Sequence, residues 1–167
     1  MSNFNVVPPS VTVWFYNPVH ETTNGLNIVN KIVAKLDPPF CHTELQFACG
    51  SACSIVMKGF VNVRKRTFDP KFYTGLIIST TPKKIENALK MAHDMNTQNV
   101  PFGIFDSQST YCSKLVAELL IDSEIIESSS NLTQPFLLSP SALYNHLQCL
   151  NNTTSTTPTN IQAIDFK

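Results

Sequence analysis

Cys112 and His42 are the residues whose types and settings could do covalent chemistry together. Cys112 lies in the stretch Ser109-Thr110-Tyr111-Cys112-Ser113-Lys114-Leu115-Val116, read as the first turn of a helix. Unpaired backbone N–H groups and the positive end of the helix dipole favour a thiolate at that position. The thiolate is the nucleophilic form, and a neighbouring imidazolium would lower its pKa further. The same N–H groups could hold a developing oxyanion. A base for the thiol has to come from elsewhere in the fold, and His42, at the opening of a strand, would be rigidly placed for it. His20 in a loop, His93 beside the apolar stripe of a helix and His146 late in the last helix are not excluded by spacing. Taken singly, a buried inert cysteine and a hydrogen-bonded structural histidine are the ordinary fates of such residues.

The elements that must position these side chains follow from hydrophobic spacing. Val11 to Tyr16 is rich in β-branched and aromatic residues and reads as a strand ended by Asn17-Pro18. Apolar positions 26, 28, 29, 32, 33 and 36 have helical spacing, with Asn24 as cap and Pro38-Pro39 as stop. Cys41 to Ala48 reads as a strand, with His42, Glu44 and Gln46 on one face and Cys41, Thr43, Leu45 and Phe47 on the other. A turn at Gly50-Ser51 leads to strands over Ser54 to Met57, Phe60 to Phe68 and Tyr73 to Ser79. Thr81-Pro82 and Ser139-Pro140 both have the cap-plus-proline form of a helix start. Between them a helix runs from about Thr110 to Ile121. The expected architecture is α+β, with a mostly antiparallel sheet packed against helices. A single domain over residues 1–150 and a polar flexible tail over 151–167 complete the layout.

Composition limits the function. The chain has 167 residues, 43% of them apolar, which suits one globular domain. Twelve basic residues balance 12 acidic ones, so no global field steers the chain to nucleic acid or an anionic membrane. The basic cluster Arg64-Lys65-Arg66 reads as the solvated face and edge of a strand. No apolar run reaches bilayer-spanning length, and no signal-peptide pattern opens the chain, so a cytoplasmic location is expected. Five cysteines (Cys41, Cys49, Cys53, Cys112 and Cys149) are an odd count for a disulfide framework. The Cys49/Cys53 spacing, with Cys41 and His42 nearby, lacks the second matching pair of a structural zinc site, so no metal and no cofactor are expected.

Four stretches occur in an informative order. They are Phe40-Cys41-His42-Thr43-Glu44-Leu45, Val100-Pro101-Phe102-Gly103-Ile104-Phe105, Tyr111-Cys112-Ser113-Lys114-Leu115-Val116 and Leu138-Ser139-Pro140-Ser141-Ala142-Leu143. Together they resemble the circularly permuted branch of the NlpC/P60 (papain-like) superfamily, which includes bacterial YiiX-like hydrolases and poxvirus relatives. In that branch the strand histidine precedes the nucleophilic cysteine. The resemblance covers roughly residues 11–148. It implies a permuted papain-like fold, a His42–Cys112 dyad and, by kinship with the poxvirus relatives, a viral protein acting in a host cell. Lys114 stands where those relatives often carry Glu, which leaves the local role of that position open.

The resemblance also implies a polar residue that orients the histidine ring, a role that fixes the tautomer and steadies the imidazolium. Glu44 is the first choice for it, with Ser54 and Gln46 as alternatives. Trp14, Tyr16, Phe102 and Phe105 could line a cleft, although packing is the commoner use of such aromatics. The expected reaction is acyl transfer to water through a Cys112 thioester, by a cysteine peptidase or isopeptidase. A lipid or other acyl hydrolase or acyltransferase is the alternative. A non-catalytic interaction factor on the same fold is the reading from a different class. The expected partner is a protein or acyl-containing substrate, with no nucleic acid and no integral membrane segment. The residues leave the oligomeric state open.

Overall fold

A computed structural model describes residues 8–18, 35–56, 58–104, 108–129, 132, 138–152 and 160–164. In chain order the named elements are β1 (Ser10–Tyr16), β2 (His42–Phe47), β3 (Ser51–Ser54), β4 (Asn62–Lys65), β5 (Tyr73–Ser79), α1 (Pro82–Thr97), α2 (Cys112–Asp122), α3 (Pro140–Asn152) and β6 (Ile161–Ala163). The strands form one sheet in the order β4-β3-β2-β1-β5-β6. Every pairing is antiparallel. The fold is thus α+β, a six-stranded antiparallel sheet packed against three helices among the described residues. No helix among the described residues is long and apolar enough to cross a membrane.

Register decides which side chains meet. Val13 lies opposite Leu45 on β2 and Leu76 on β5, and Leu45 lies opposite Cys53 on β3. These residues join Ala88 and Ala92 of α1, Leu115 and Leu119 of α2, and Leu143 and Leu147 of α3 in one buried apolar cluster. Each such leucine contributes about 2 kcal/mol by leaving water. Strand alternation turns the intervening residues to the other face. There Trp14 lies opposite Glu44 and Gly75, and Tyr16 opposite His42 and Tyr73. Gly75 is required at its place, because a Cβ there would lie 2.5 Å from Ile164 Cδ1 and 2.8 Å from Trp14 Cζ3.

The helix starts follow their local chemistry. Thr81 Oγ1 accepts from Lys84 N–H at 3.4 Å, and Pro82 opens α1. Ser139 Oγ accepts from Ala142 N–H at 2.9 Å at the head of α3.

Three expectations change. The strand expected over Ser54 to Met57 is Ser51–Ser54 instead. The turn before it is tight, with Gly50 at φ +80° and its N–H donating to Phe47 O at 2.8 Å, so pairing resumes at once. The expected strand from Phe60 to Phe68 keeps only Asn62–Lys65 as β4. The flexible tail expected over 151–167 contains an ordered edge strand. Ile161 is buried opposite Ile78, and Ile164 N–H donates to Gly75 O at 2.9 Å. Two isoleucines in a polar stretch suffice to dock it. Of the helix expected from Leu26 to Leu36, all but Lys35 and Leu36 lie outside the described residues, as do His20 and Phe105.

Candidate functional site

His42 is the first residue of β2 and Cys112 the first of α2. The two side chains lie near enough for each to shift the protonation of the other. Two hydroxyl clamps hold the chain segments that carry them. Ser113 Oγ, next to Cys112, donates to Leu138 O at 2.5 Å. Two residues into α3, Ser141 Oγ accepts from Phe40 N–H at 3.1 Å and donates to Asp37 O at 2.8 Å. Ser139 Oγ donates to Asp37 Oδ2. The head of α3 therefore ties the start of the cysteine helix to the segment leading into the histidine strand. This gives the Leu138 to Leu143 stretch a physical role beside Cys112 and His42.

The surroundings of the sulfur favour its ionised form. Tyr111, the residue before α2, makes no side-chain capping bond, so the first-turn N–H groups are left for other partners. Burial is the strongest influence on Cys112 and raises its pKa. The hydrogen bond and charge of His42, with backbone N–H groups of Thr43 and Ser113, outweigh it and hold the thiol below its usual range. Burial is also the strongest influence on His42 and opposes its charge. The influences of Cys112 and Glu44 overcome it and raise the ring to about 9. The two shifts are coupled, since each group is among the causes of the other's.

Glu44 stands behind the ring. Its Oε1 lies 3.4 Å from His42 Nε2 and 2.9 Å from Arg66 Nη1. Both are ion-pair contacts without hydrogen-bond alignment, and Oε2 has no hydrogen-bond partner among the described residues. The glutamate side chain is 0% exposed, against 14% for His42 and 26% for Arg66. Of the three residues considered for orienting the ring, Glu44 is in contact with it. Gln46 instead accepts from Trp14 Nε1 at 2.8 Å and donates to Arg66 O at 2.9 Å. Ser54 is buried on β3 opposite Asn62.

The other histidines within the described residues lie elsewhere. His93 is exposed on α1, and His146 on α3 lies 3.4 Å from Ser129 Oγ. Lys114 donates to Ser109 O at 3.1 Å and pairs with Glu118 at 3.6 Å, bracing the approach to α2. Cys49 is exposed and Cys53 buried in the core. Among the described residues no three His, Cys, Asp or Glu side chains gather as metal ligands.

Arg66 is the residue that sequence reasoning missed. The basic run was expected on a solvated face, yet Arg66 turns inward to Glu44. Nη2 donates to Tyr73 Oη at 2.7 Å, and the guanidinium lies 5.1 Å from the Phe68 ring centre and 5.7 Å from that of Tyr73. Trp14 stacks on Phe68 at 4.8 Å, and Tyr16 meets Tyr73 at 5.2 Å. Trp14 and Tyr16 are therefore engaged in an aromatic layer around Arg66. Phe102 packs against the core. The available signal was parity: Arg64 lies opposite Ala52, and Ala52 opposite Gln46, so even-numbered positions there share Glu44's face. A carboxylate buried on that face needs a cation.

The chain matches no protein-family model, no curated protein and no solved structure.

Proposed function

We propose that this protein is a cysteine-dependent hydrolase of permuted papain-like type, with Cys112 as nucleophile, His42 as acid–base and Glu44 as the residue that orients the ring. What carries the reading is the placement of a helix-start cysteine near a strand histidine that is itself 3.4 Å from a buried carboxylate, with each of the pair shifting the other's protonation. In the resting state the sulfur is a thiolate and the ring an imidazolium. Sulfur attacks a carbonyl carbon, and α2 first-turn N–H groups stabilise the oxyanion. His42 then protonates the leaving group. Water, giving a proton to the neutral ring, attacks the thioester; the acyl group leaves as the acid, and the thiolate and imidazolium are restored.

An amide substrate, cleaved by peptidase or isopeptidase action, fits best, because an imidazolium able to give up its proton is what an amine leaving group needs. Acyl hydrolysis of a lipid or ester is the second reading. It is favoured by the exposed apolar side chains of Phe60 and Ile104. Phe60 bridges to Pro101, and Phe102 bridges to Thr110, two residues before Cys112. A free catalytic thiol suits a reducing compartment, so the reading places the protein in the cytoplasm, of a host cell if the chain is viral.

The test is a substrate screen with peptide, isopeptide and acyl-ester reporters, with Cys112→Ala alongside. Hydrolysis by the wild type that Cys112→Ala abolishes supports the reading. The reporter class cleaved selects between its two forms. Equal turnover by both proteins refutes it.

A further inference from the structure

We propose that Arg66 is a positioning residue: through its ion pair with Glu44 it keeps that buried carboxylate against His42, so that the carboxylate steadies the imidazolium for its work with Cys112. The inference rests on the hydrolase reading only for the use made of His42. The electrostatic link itself is independent of any reaction.

The groups around Glu44 decide the matter. On its own strand is His42, at 3.4 Å. From α2 comes Cys112, through its contact with His42. From β3 comes Cys53 and from β5 Tyr73, both neutral weak acids whose pKa values are pushed up to about 12 by burial first and by the Glu44 charge second. Cys41, near Tyr73, also disfavours ionisation of the phenol. Every one of these except His42 would add negative charge on ionising. The fixed positive charge against Glu44 is Arg66, 2.9 Å away. A fully buried carboxylate without such a partner takes up a proton. Without that partner the Glu44 side chain would steady the charge of the ring less well.

Arg66 is itself fixed. Its guanidinium is held by Tyr73 Oη, lies against Phe68 and Tyr73, and its backbone carbonyl accepts from Gln46. The planar fork spans Glu44 and Tyr73 together, which one ammonium cannot do as well. Its polar side-chain partners among the described residues are Glu44 and Tyr73, so the proposed route to Cys112 runs through Glu44 and His42.

The sign of the effect makes the proposal testable. Acting directly through space, a cation near His42 disfavours the imidazolium. Acting through Glu44, it favours it. The experiment follows the His42 ring by NMR pH titration in the full chain, for wild type, R66M, R66K, E44Q and the E44Q/R66M pair. R66M should lower the His42 pKa by at least one unit, tenfold in proton affinity, while R66K keeps most of the wild-type value. The double variant should match E44Q alone.

A rise or no change in R66M overturns the proposal. So does a double variant that differs from E44Q by more than a few tenths of a unit. If R66M fails to fold, the double variant still reads the outcome, because it leaves no buried charge uncompensated. Absence of hydrolysis by the wild type, with the Arg66 dependence intact, defeats the hydrolase reading and leaves this one standing.

Discussion

Arg66 Nη1 lies 2.9 Å from a Glu44 carboxylate that is wholly removed from solvent, and the same carboxylate oxygen lies 3.4 Å from His42 Nε2. One buried anion thus serves a permanent cation and a titrating one. This asymmetry gives E44Q a definite expected result. The amide keeps the size of the side chain but not its charge, and the exposed fraction of Arg66 lets that cation be solvated. Folding stability should change by less than about 1.5 kcal/mol, near the worth of one net hydrogen bond. Reactivity should change far more. Cys112 alkylation at pH 7 should slow about tenfold, and hydrolysis should fall by roughly 10²-fold or more through loss of ring orientation. Iodoacetamide labelling followed by mass spectrometry, beside a urea titration, reads both quantities. Unchanged labelling would remove Glu44 from the site.

The pH dependence of hydrolysis should be bell-shaped. The reaction needs the sulfur deprotonated and the ring protonated. Cys112 lies below the ordinary thiol range, so activity should already be present near neutrality, where a free cysteine is mostly protonated. His42 is raised to about 9, so activity should fall as pH passes that value and the ring loses its proton. Stability has the same sign for the histidine. A ring whose folded pKa exceeds its unfolded value of about 6.5 contributes fully below that value and loses its contribution as pH rises through about 9. A kcat/KM profile from pH 5 to 10 checks the first claim. A flat alkaline limb would mean that the imidazolium is not needed.

Much of this arrangement is legible in the residues, and the illegible part has identifiable causes. β-Branched and aromatic residues over Val11 to Tyr16 and the alternation of Cys41 to Ala48 locate β1 and β2, and the run Tyr73 to Ser79 is likewise read as the strand that becomes β5. Proline after a hydroxyl residue locates the starts of α1 and α3. The parity of His42, Glu44 and Gln46 places them on one face before any tertiary contact is known. Arg66 is not legible in the same way. A cation beside other cations looks solvated, and only the register across β2, β3 and β4 brings it to Glu44. The edge strand Ile161–Ala163 is missed because three residues give too short a pattern to register against polar neighbours. Ser141 is read as part of a helix start, but its bonds to Asp37 and Phe40 join residues about a hundred positions apart, which no local rule encodes.

Those long-range bonds lead to a second kind of variant. Ser141→Ala removes the acceptor of the buried Phe40 N–H and the donor to Asp37 O. An orphaned buried donor costs about 1–3 kcal/mol, so the thermal midpoint should fall by several degrees. The segment that enters β2 also loses two of its bonds to α3 and keeps the one from Ser139 to Asp37, so Cys112 alkylation should slow as well, although Ser141 is not among the contacts of Cys112 or His42. Differential scanning calorimetry and thiol labelling on one sample measure the two effects. A stability loss with full labelling would show that β2 alone positions His42.

Gly75→Ala probes the opposite side of the sheet. The added Cβ would sit 2.5 Å from Ile164 Cδ1 and 2.8 Å from Trp14 Cζ3. Real Cβ atoms do not approach that closely, so one neighbour must yield. Ile164 follows the three-residue edge strand and is the freer of the two, whereas Trp14 is stacked on Phe68 and bonded to Gln46. Displacement of β6 is therefore the expected response, at about 1–3 kcal/mol, the usual range for overpacking. Hydrogen exchange should show faster amide exchange in Ile161–Ala163 while β1 and β2 keep their protection. The alternative response, a shifted Trp14, would disturb Gln46 and through it the Arg66 backbone. It would announce itself as a fall in the His42 pKa, which the first response leaves untouched.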